Sequence, residues 1–377
     1  MTRITVISSD ERCGIQTYSH ALVDAFRELG HSVEYVGVRP WRSRELLDKV
    51  RRIPRDSRVV IFEHEFGVFK SGALSLAMAW LRLRGKSVIL SVHELEPDKF
   101  ANYHKVVAAL HYRQRWSSPL VELGRVFWGT VQIAQRMLRY RLALWLLGAF
   151  PSRIVFHSTL ARDHAWLITG RPDRTEIIPH FVEPLAGAED PLRSDREIQK
   201  RRLREKLGLP QDRFIFISPG FLFRRKRLIE VIAATPPEAL IVLAGTEGKW
   251  DEGYLDEIRA YVERSGLRNV VIDTDYDRMP DHFMAADAVV LFYLRTFQSG
   301  IASHALWAGL PCIFTDDPAF AMYDGAGIPV ADEAALRQAM IDIQRPEVAE
   351  RLRARARELR DELSPRAMAE RYLEAAA

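Results

Sequence analysis

Short apolar runs recur through the first half of the chain, RITVIS, SVEYVGV, RVVIFEH, SVILSVH and RIVFHS, with longer stretches of helical periodicity between them. Runs this short and this continuously apolar are buried on both faces, so the alternation predicts a parallel sheet covered by helices on either side. After RIVFHS and TEIIPHFV comes EPLAGAEDPLRSDREIQK, whose prolines, glycine and charges break every period. The alternation then restarts with RFIFISPG, ALIVLAG, NVVIDTD, DAVVLFY and PCIFTD. The pattern predicts an α/β protein of two Rossmann-like, doubly wound domains, residues 1–183 and 184–363. A closing helix follows over 364–377, with Ser364 as N-cap and Pro365 in its first turn. In open α/β sheets ligands sit beyond the C-terminal strand ends, so two such domains facing each other predict a ligand cleft. Motifs at strand ends are therefore the ones to read.

Length agrees with this division, since 377 residues exceed what one hydrophobic core serves. The two cysteines, Cys13 and Cys312, have no metal-ligand spacing and fit a reducing cytoplasm. The N-terminus enters a strand pattern directly and shows no signal-peptide core. The most apolar stretch, LALWLLGAF from Leu142, is too short to span a bilayer. A net charge of +4 is small, but its distribution along the chain is uneven.

The first strand runs into SSDERCGIQTYSHALVDAFRELGH, where Tyr18, Leu22, Phe26 and Leu29 share a helix face behind Gly14. A glycine at such a turn admits a phosphate or sugar to the backbone N–H groups, and turn geometry alone is the competing explanation. FEHEFGVFK puts His64 and Glu65 at the third strand tip, and SVHELEP puts His93 at the fourth. For His64, a ring held by a loop carbonyl competes with a functional role. The strongest element is SPGFLFRRKRLIEVIAA, where a strand ends at Pro219 and Gly220 and leads toward Arg224, Arg225, Lys226 and Arg227 on a predicted helix start. Cations there suit a diphosphate, because they otherwise oppose the helix dipole. In RTFQSGIASHALWAGLP, Ser299, Gly300 and Ile301 open a second helix whose first N–H groups can cradle an anion, with Ser299 also suited to be the N-cap.

Taken in order, CGIQTYSHALVDAFRELGHSV, VVIFEHEFG, ILSVHELEP, IIPHFV, SPGFLFRRKR, MPDHFMAADAVVLFY and SGIASHALWAGLPCIFTD resemble the retaining GT-B glycosyltransferases of family four, along nearly the whole chain. SPRAMAERYLEAAA is similar to that family's final helix, which crosses back to the N-terminal domain. The resemblance implies a nucleoside diphosphate sugar as donor and no further cofactor or metal. It places Gly14 below the donor phosphates, His93 against the transferred hexose and Lys226 on the diphosphate. The family's arginine partner falls on Phe221, leaving Arg224 or Arg225 to supply that charge. Its two glutamates fall on Thr296 and His304, and His304 can still bond a ribose hydroxyl. The implied mechanism retains configuration, with phosphate oxygen accepting the acceptor's proton and cations stabilising the departing diphosphate as a metal does elsewhere.

Between Lys105 and Arg153 lie Arg113, Arg115, Arg125, Arg136, Arg139 and Arg141 against the single acid Glu122, interleaved with Trp116, Phe127, Trp128 and Trp145. Cations with interfacial aromatics describe a helix on an anionic inner-leaflet surface, contacting it through Arg136, Arg139, Arg141 and Trp145. A helix pair packed on the sheet, with solvated arginines, is the competing reading. By analogy with related enzymes the N-terminal domain, with His64 and Glu65, takes a lipid-linked saccharide acceptor. Clustered Trp and Leu disfavour nucleic acid. A sugar-nucleotide 2-epimerase would need cleft carboxylates, for which only Glu65, Glu94 and Glu96 are available. A degenerate scaffold subunit is the non-enzyme alternative.

Overall fold

The structure, a computed structural model, describes residues 2–376 apart from 12, 66–67, 94–118, 164–171, 186, 190, 192–194, 249–250, 295 and 297–298, with only the backbone for 119–126 and 172. Arg113, Arg115, Trp116, Glu94 and Glu96 thus lie outside the described residues, as do the side chains of Glu122 and Arg125. The chain forms two compact units, Met1–Pro179 with Ala369–Ala377, and His180–Met368.

The first unit holds β1 (Arg3–Ser9), β2 (Ser32–Val38), β3 (Ser57–His64), β4 (Ser87–Val92), β5 (Arg153–Phe156) and β6 (Thr175–Ile177) in the spatial order β2-β1-β3-β4-β5-β6. Every pairing is parallel. Its helices are α1 (Gly14–Glu28), α2 (Ser43–Arg51), α3 (Ser71–Leu83) and α4 (Pro119–Ala149). Val60, Phe62, Leu90 and Phe156 from the strands pack with Met78, Leu81, Leu144 and Leu147 from α3 and α4 in one buried core. The strands read as continuous apolar runs because helices cover the sheet on both faces.

The second unit holds β7 (Ile215–Pro219), β8 (Leu240–Ala244), β9 (Val270–Asp273), β10 (Ala288–Leu291), β11 (Cys312–Thr315) and β12 (Gly327–Val330), in the order β12-β11-β10-β7-β8-β9, again all parallel. Its helices are α5 (Arg196–Leu207), α6 (Leu228–Ala234), α7 (Tyr254–Ser265), α8 (Met279–Ala285), α9 (Gly300–Trp307), α10 (Glu333–Asp342), α11 (Pro346–Glu362) and the start of α12 (Pro365–Ala376). In this order the chain reverses direction across the sheet between β7 and β10, and in the first unit between β1 and β3. Such a switch point leaves a crevice at the strand C-termini, where ligands of doubly wound sheets bind.

One local expectation is corrected. The four cations after β7 do not open a helix: Arg224–Lys226 form a single 3-10 turn, and α6 begins only at Leu228. Arg227 between them has a φ of 51°, the left-handed region a non-glycine residue rarely occupies. It is held there by its guanidinium, which lies 4.0 Å from the Phe292 ring and pairs with Glu333 at 2.8 Å and Glu230 at 3.3 Å. The turn lets Lys226 point inward while Arg224 and Arg225 stay exposed.

Candidate functional site

In the second unit the switch point is built from glycine geometry outward. Gly220 leaves β7 with a φ of 85°, and its N–H donates to the Ala244 carbonyl at 2.8 Å. Gly245 follows β8 with a φ of 148°, and a Cβ there would lie 2.2 Å from the Gly220 carbonyl oxygen. Only two glycines allow these strand ends to approach so closely. A Cβ on Gly220 would in turn meet Lys226 Nζ and Ile301 Cδ1, each at 3.3 Å, so Gly220, Lys226 and Ile301 converge at one point.

Lys226 is buried, and its ammonium donates to the Pro219 carbonyl at 2.6 Å. Burial, with the Arg225 charge adding to it, pushes its pKa down to about 7. Among the described residues no carboxylate offsets it, and a cation buried so favours its charged form when an anion arrives. Arg225 lies 5.1 Å from the Phe223 ring and is the neighbour whose charge acts on both Lys226 and Tyr293. Arg224 is engaged elsewhere: its guanidinium forks onto both oxygens of Glu257, and its N–H donates to Asp251 at 3.0 Å.

Ser299 caps α9, its hydroxyl accepting from Ala302 N at 3.4 Å. The N–H groups of Gly300 and Ile301 precede the intrahelical ladder and carry the positive end of the helix dipole. One turn on, His304 is tied down: its Nδ1–H donates to the Glu183 carbonyl at 3.1 Å, so Nε2 keeps the lone pair. Thr296 is buried.

In the first unit, Gly14 is the first residue of α1 and is exposed. A Cβ there would meet nothing within 4 Å, and its φ is not in the left-handed region. The fold itself therefore does not demand glycine at this turn. His64 and Glu65 stand at the end of β3, but His64 is fully buried, stacked at 6.3 Å on Phe69, and burial holds its pKa down at about 3. Glu65 is half-buried, and its carbonyl accepts from Val68 at 2.9 Å to form the turn after β3.

His93 follows β4 and meets a group the sequence reading passed over. The buried Glu63 Oε2 lies 2.6 Å from His93 Nε2. Beneath them, Ser91 Oγ lies 3.4 Å from His93 Nε2, 3.2 Å from His157 Nε2 and 2.8 Å from the Tyr372 hydroxyl of α12, which lies 3.4 Å from the Tyr18 hydroxyl of α1. Tyr18 also meets His93 edge-on at 4.7 Å between ring centroids. Burial pushes Glu63 up to about 7 and holds His93 and His157 down at about 3, so all three favour their neutral forms. Glu63, His93 and His157 offer the donor types of a metal site, their ligand atoms within 4.8 Å of one another. Two ligands of a tetrahedral metal stand about 3.3 Å apart. The 2.6 Å contact and the serine hydroxyl shared by both rings have the spacing of a hydrogen-bond network instead. Register could have revealed this cluster, since β3 and β4 set Glu63 opposite Ser91.

On α4, Tyr140, Leu144 and Leu147 are buried, whereas Leu138, Leu142 and Trp145 are exposed at the same spacing. Arg139 and Arg141 are exposed beside them and Arg136 is half-buried. The neighbouring α3 repeats the arrangement with Leu76, Trp80 and Leu83 exposed, Leu83 by 84%, and no acid in the helix. Among the described residues no helix is long and apolar enough to cross a membrane.

No family model matches the sequence, and no curated protein matches it. Solved structures do match in shape. HepE from Anabaena in complex with UDP and glucose aligns with a TM-score of 0.69 at 14% identity, over 99% of both chains. A glycosyltransferase from Rickettsia africae aligns with a TM-score of 0.66 at 13% identity, over 100% of this chain and 97% of that one. WaaG, a glycosyltransferase involved in lipopolysaccharide biosynthesis, gives 0.57 at 16% identity over 100% of both. At such identities the likeness shows the fold: two Rossmann-like parallel-sheet units in the GT-B architecture.

Proposed function

We propose that this protein is a glycosyltransferase that moves a hexose from a nucleoside diphosphate sugar to a lipid-linked saccharide, with retention of configuration. The observation that carries the reading is the buried Lys226, its pKa lowered by burial, beside Gly220 and Ile301 at the switch point of the second sheet. That arrangement fits a diphosphate: Lys226 gains its full charge against the anion, Arg225 adds a second, and the first N–H groups of α9 cradle an oxygen. Stabilising the leaving diphosphate in this way supplies what a divalent cation supplies in other transferases. His304, with Nε2 as acceptor, suits a ribose hydroxyl. His93 takes the contact to the transferred sugar that the family resemblance assigns to it. HepE was solved with UDP-glucose, which supports a nucleotide-sugar donor.

The acceptor reading rests on the first unit's surface. Exposed Leu76, Trp80, Leu83, Leu138, Leu142 and Trp145 with Arg139 and Arg141 suit an anionic lipid surface, as a peripheral enzyme on the inner leaflet requires. A catalytically degenerate scaffold is favoured by one feature, the absence of carboxylates at Thr296 and His304. Isothermal calorimetry with UDP, GDP and their sugars, followed by a donor-hydrolysis assay, tests both. Binding with hydrolysis supports the enzyme, binding without turnover supports the scaffold, and no binding to any of them overturns both.

A further inference from the structure

The hydrogens beneath His93 can be counted. His157 Nδ1 lies 2.9 Å from the Ile178 carbonyl, which only accepts, so Nδ1 carries that ring's proton and Nε2 its lone pair. The Ser91 hydroxyl therefore donates to His157 Nε2 at 3.2 Å, and having one hydrogen it accepts from the Tyr372 hydroxyl at 2.8 Å. The Ser91 and Tyr372 hydrogens of this chain run toward His157. The 2.6 Å contact between Glu63 Oε2 and His93 Nε2 must supply its own proton. The other carboxyl oxygen, Glu63 Oε1, is buried and has no hydrogen-bond partner among the described residues. An ionised carboxylate with one bare oxygen is costly there, and a protonated one much less so.

We infer that Glu63 is a positioning residue whose single proton sets the tautomer of His93. With Glu63 protonated, its O–H donates to Nε2, and the neutral ring carries its hydrogen on Nδ1 as a donor. When the pair loses one proton to solvent, Nε2–H donates to the carboxylate and Nδ1 becomes an acceptor. An anionic oxygen against Nδ1 requires the first form, whereas a sugar hydroxyl adapts to either. Among the described residues the groups facing the pair are Tyr18 from α1, His64 along β3, Ser91 from β4, His157 just after β5 and Tyr372 from α12, and Tyr35 of β2 feels Glu63 at longer range. Burial, which pushes the Glu63 carboxyl up, moves this proton loss toward neutral pH. Its meaning for sugar transfer rests on the proposed role of His93, but the switch itself does not.

Long-range nitrogen–proton NMR of the full chain with 15N-labelled histidine reads the ring directly, the His93 signals being those lost in His93→Phe. From about pH 5.5 to about pH 9 the protonated nitrogen should change from Nδ1 to Nε2. In Glu63→Gln the amide donates to Nε2 throughout, so the Nδ1–H form should persist across the range. A wild-type tautomer that does not move with pH overturns the inference, as does a doubly protonated His93 at neutral pH. So does a His93 signal that shifts on adding one equivalent of zinc. The wild-type titration decides even where Glu63→Gln fails to fold. A flat titration alongside intact sugar transfer sinks this inference alone; a moving tautomer without transfer sinks the functional reading alone.

Discussion

The two sheets share a topology and end in opposite electrical arrangements. At the first, a carboxyl, three imidazoles and the Tyr372 phenol are buried together, and burial favours the neutral form of each. At the second, a lysine is buried with a carbonyl and a neighbouring arginine, and burial suppresses a charge that no carboxylate among the described residues neutralises. The first site pairs its polar groups with one another and leaves only the Glu63 Oε1 edge of the carboxyl bare among the groups bonded there. The second is complete only with an anion. Duplicated folds thus leave the chemistry to the few residues at strand ends.

The largest effect comes from the second site. Lys226→Ala should cost about 2 to 4 kcal/mol of transition-state stabilisation in kcat/KM, the range for removing one preorganised charge partner. It should not lower the melting temperature, since the side chain is held at a desolvation cost; unchanged kinetics on the folded variant would remove Lys226 from the site. Next, His93→Ala should cut transfer at least about tenfold through lost positioning while nucleoside diphosphate affinity is nearly unchanged. A parallel loss of melting temperature, binding and turnover would mean that His93 serves only the fold.

A smaller effect tests the exposed helices. Trp80→Ser should weaken partition onto anionic vesicles by about threefold to tenfold, because buried apolar area sets interfacial affinity. Equal flotation of variant and wild type would free this face from the membrane. The finest test is proton linkage. Lys226, depressed to about 7 when empty, is mostly neutral at about pH 8. A bound diphosphate returns it toward the ordinary lysine value, so binding there takes up nearly one proton. The uptake should shrink below about pH 6, where the lysine is already charged. Calorimetry in buffers of differing ionisation enthalpy reads it, and zero uptake at about pH 8 contradicts a suppressed charge at Lys226.

Most strands were legible because parallel strands buried on both faces are unbroken apolar runs. Two of the four edge strands are not: β6 is Thr175–Ile177 only, and β12 carries glycine and proline, which weaken a strand pattern. Lys226, Gly220 and Ile301, which the structure brings to one point, are legible because each lies on a segment that follows a strand end. Glu63 was not, since His64 and Glu65 drew the eye to the tip, whereas pairing with His93 depends on strand register, which a run of letters does not display. The α3 stripe had a different obstacle. Leu74, Met78 and Leu81 are as apolar as Leu76, Trp80 and Leu83, so the sequence did not say which face turned outward. The RRKR turn failed for a third reason, because a left-handed Arg227 is paid for by contacts with Phe292 and Glu333 from distant segments.

Tyr372 also bears on how the chain is made. The strands of the first unit leave the ribosome early, yet the hydroxyl that donates to Ser91 belongs to a residue synthesised after the whole span His180–Met368. The same late segment brings the Arg371 guanidinium to the Ile177 carbonyl at 2.7 Å and the Ala376 carbonyl to the Ser87 hydroxyl at 3.1 Å. At translation speeds of about 5 to 20 residues per second, the nascent first unit waits roughly 10 to 40 s for them. During that interval its polar centre is open to water or to a chaperone. The imidazole of His157 then gains its full hydrogen-bond chain only once this last segment has been made, so the order of synthesis delays the closing of the polar centre.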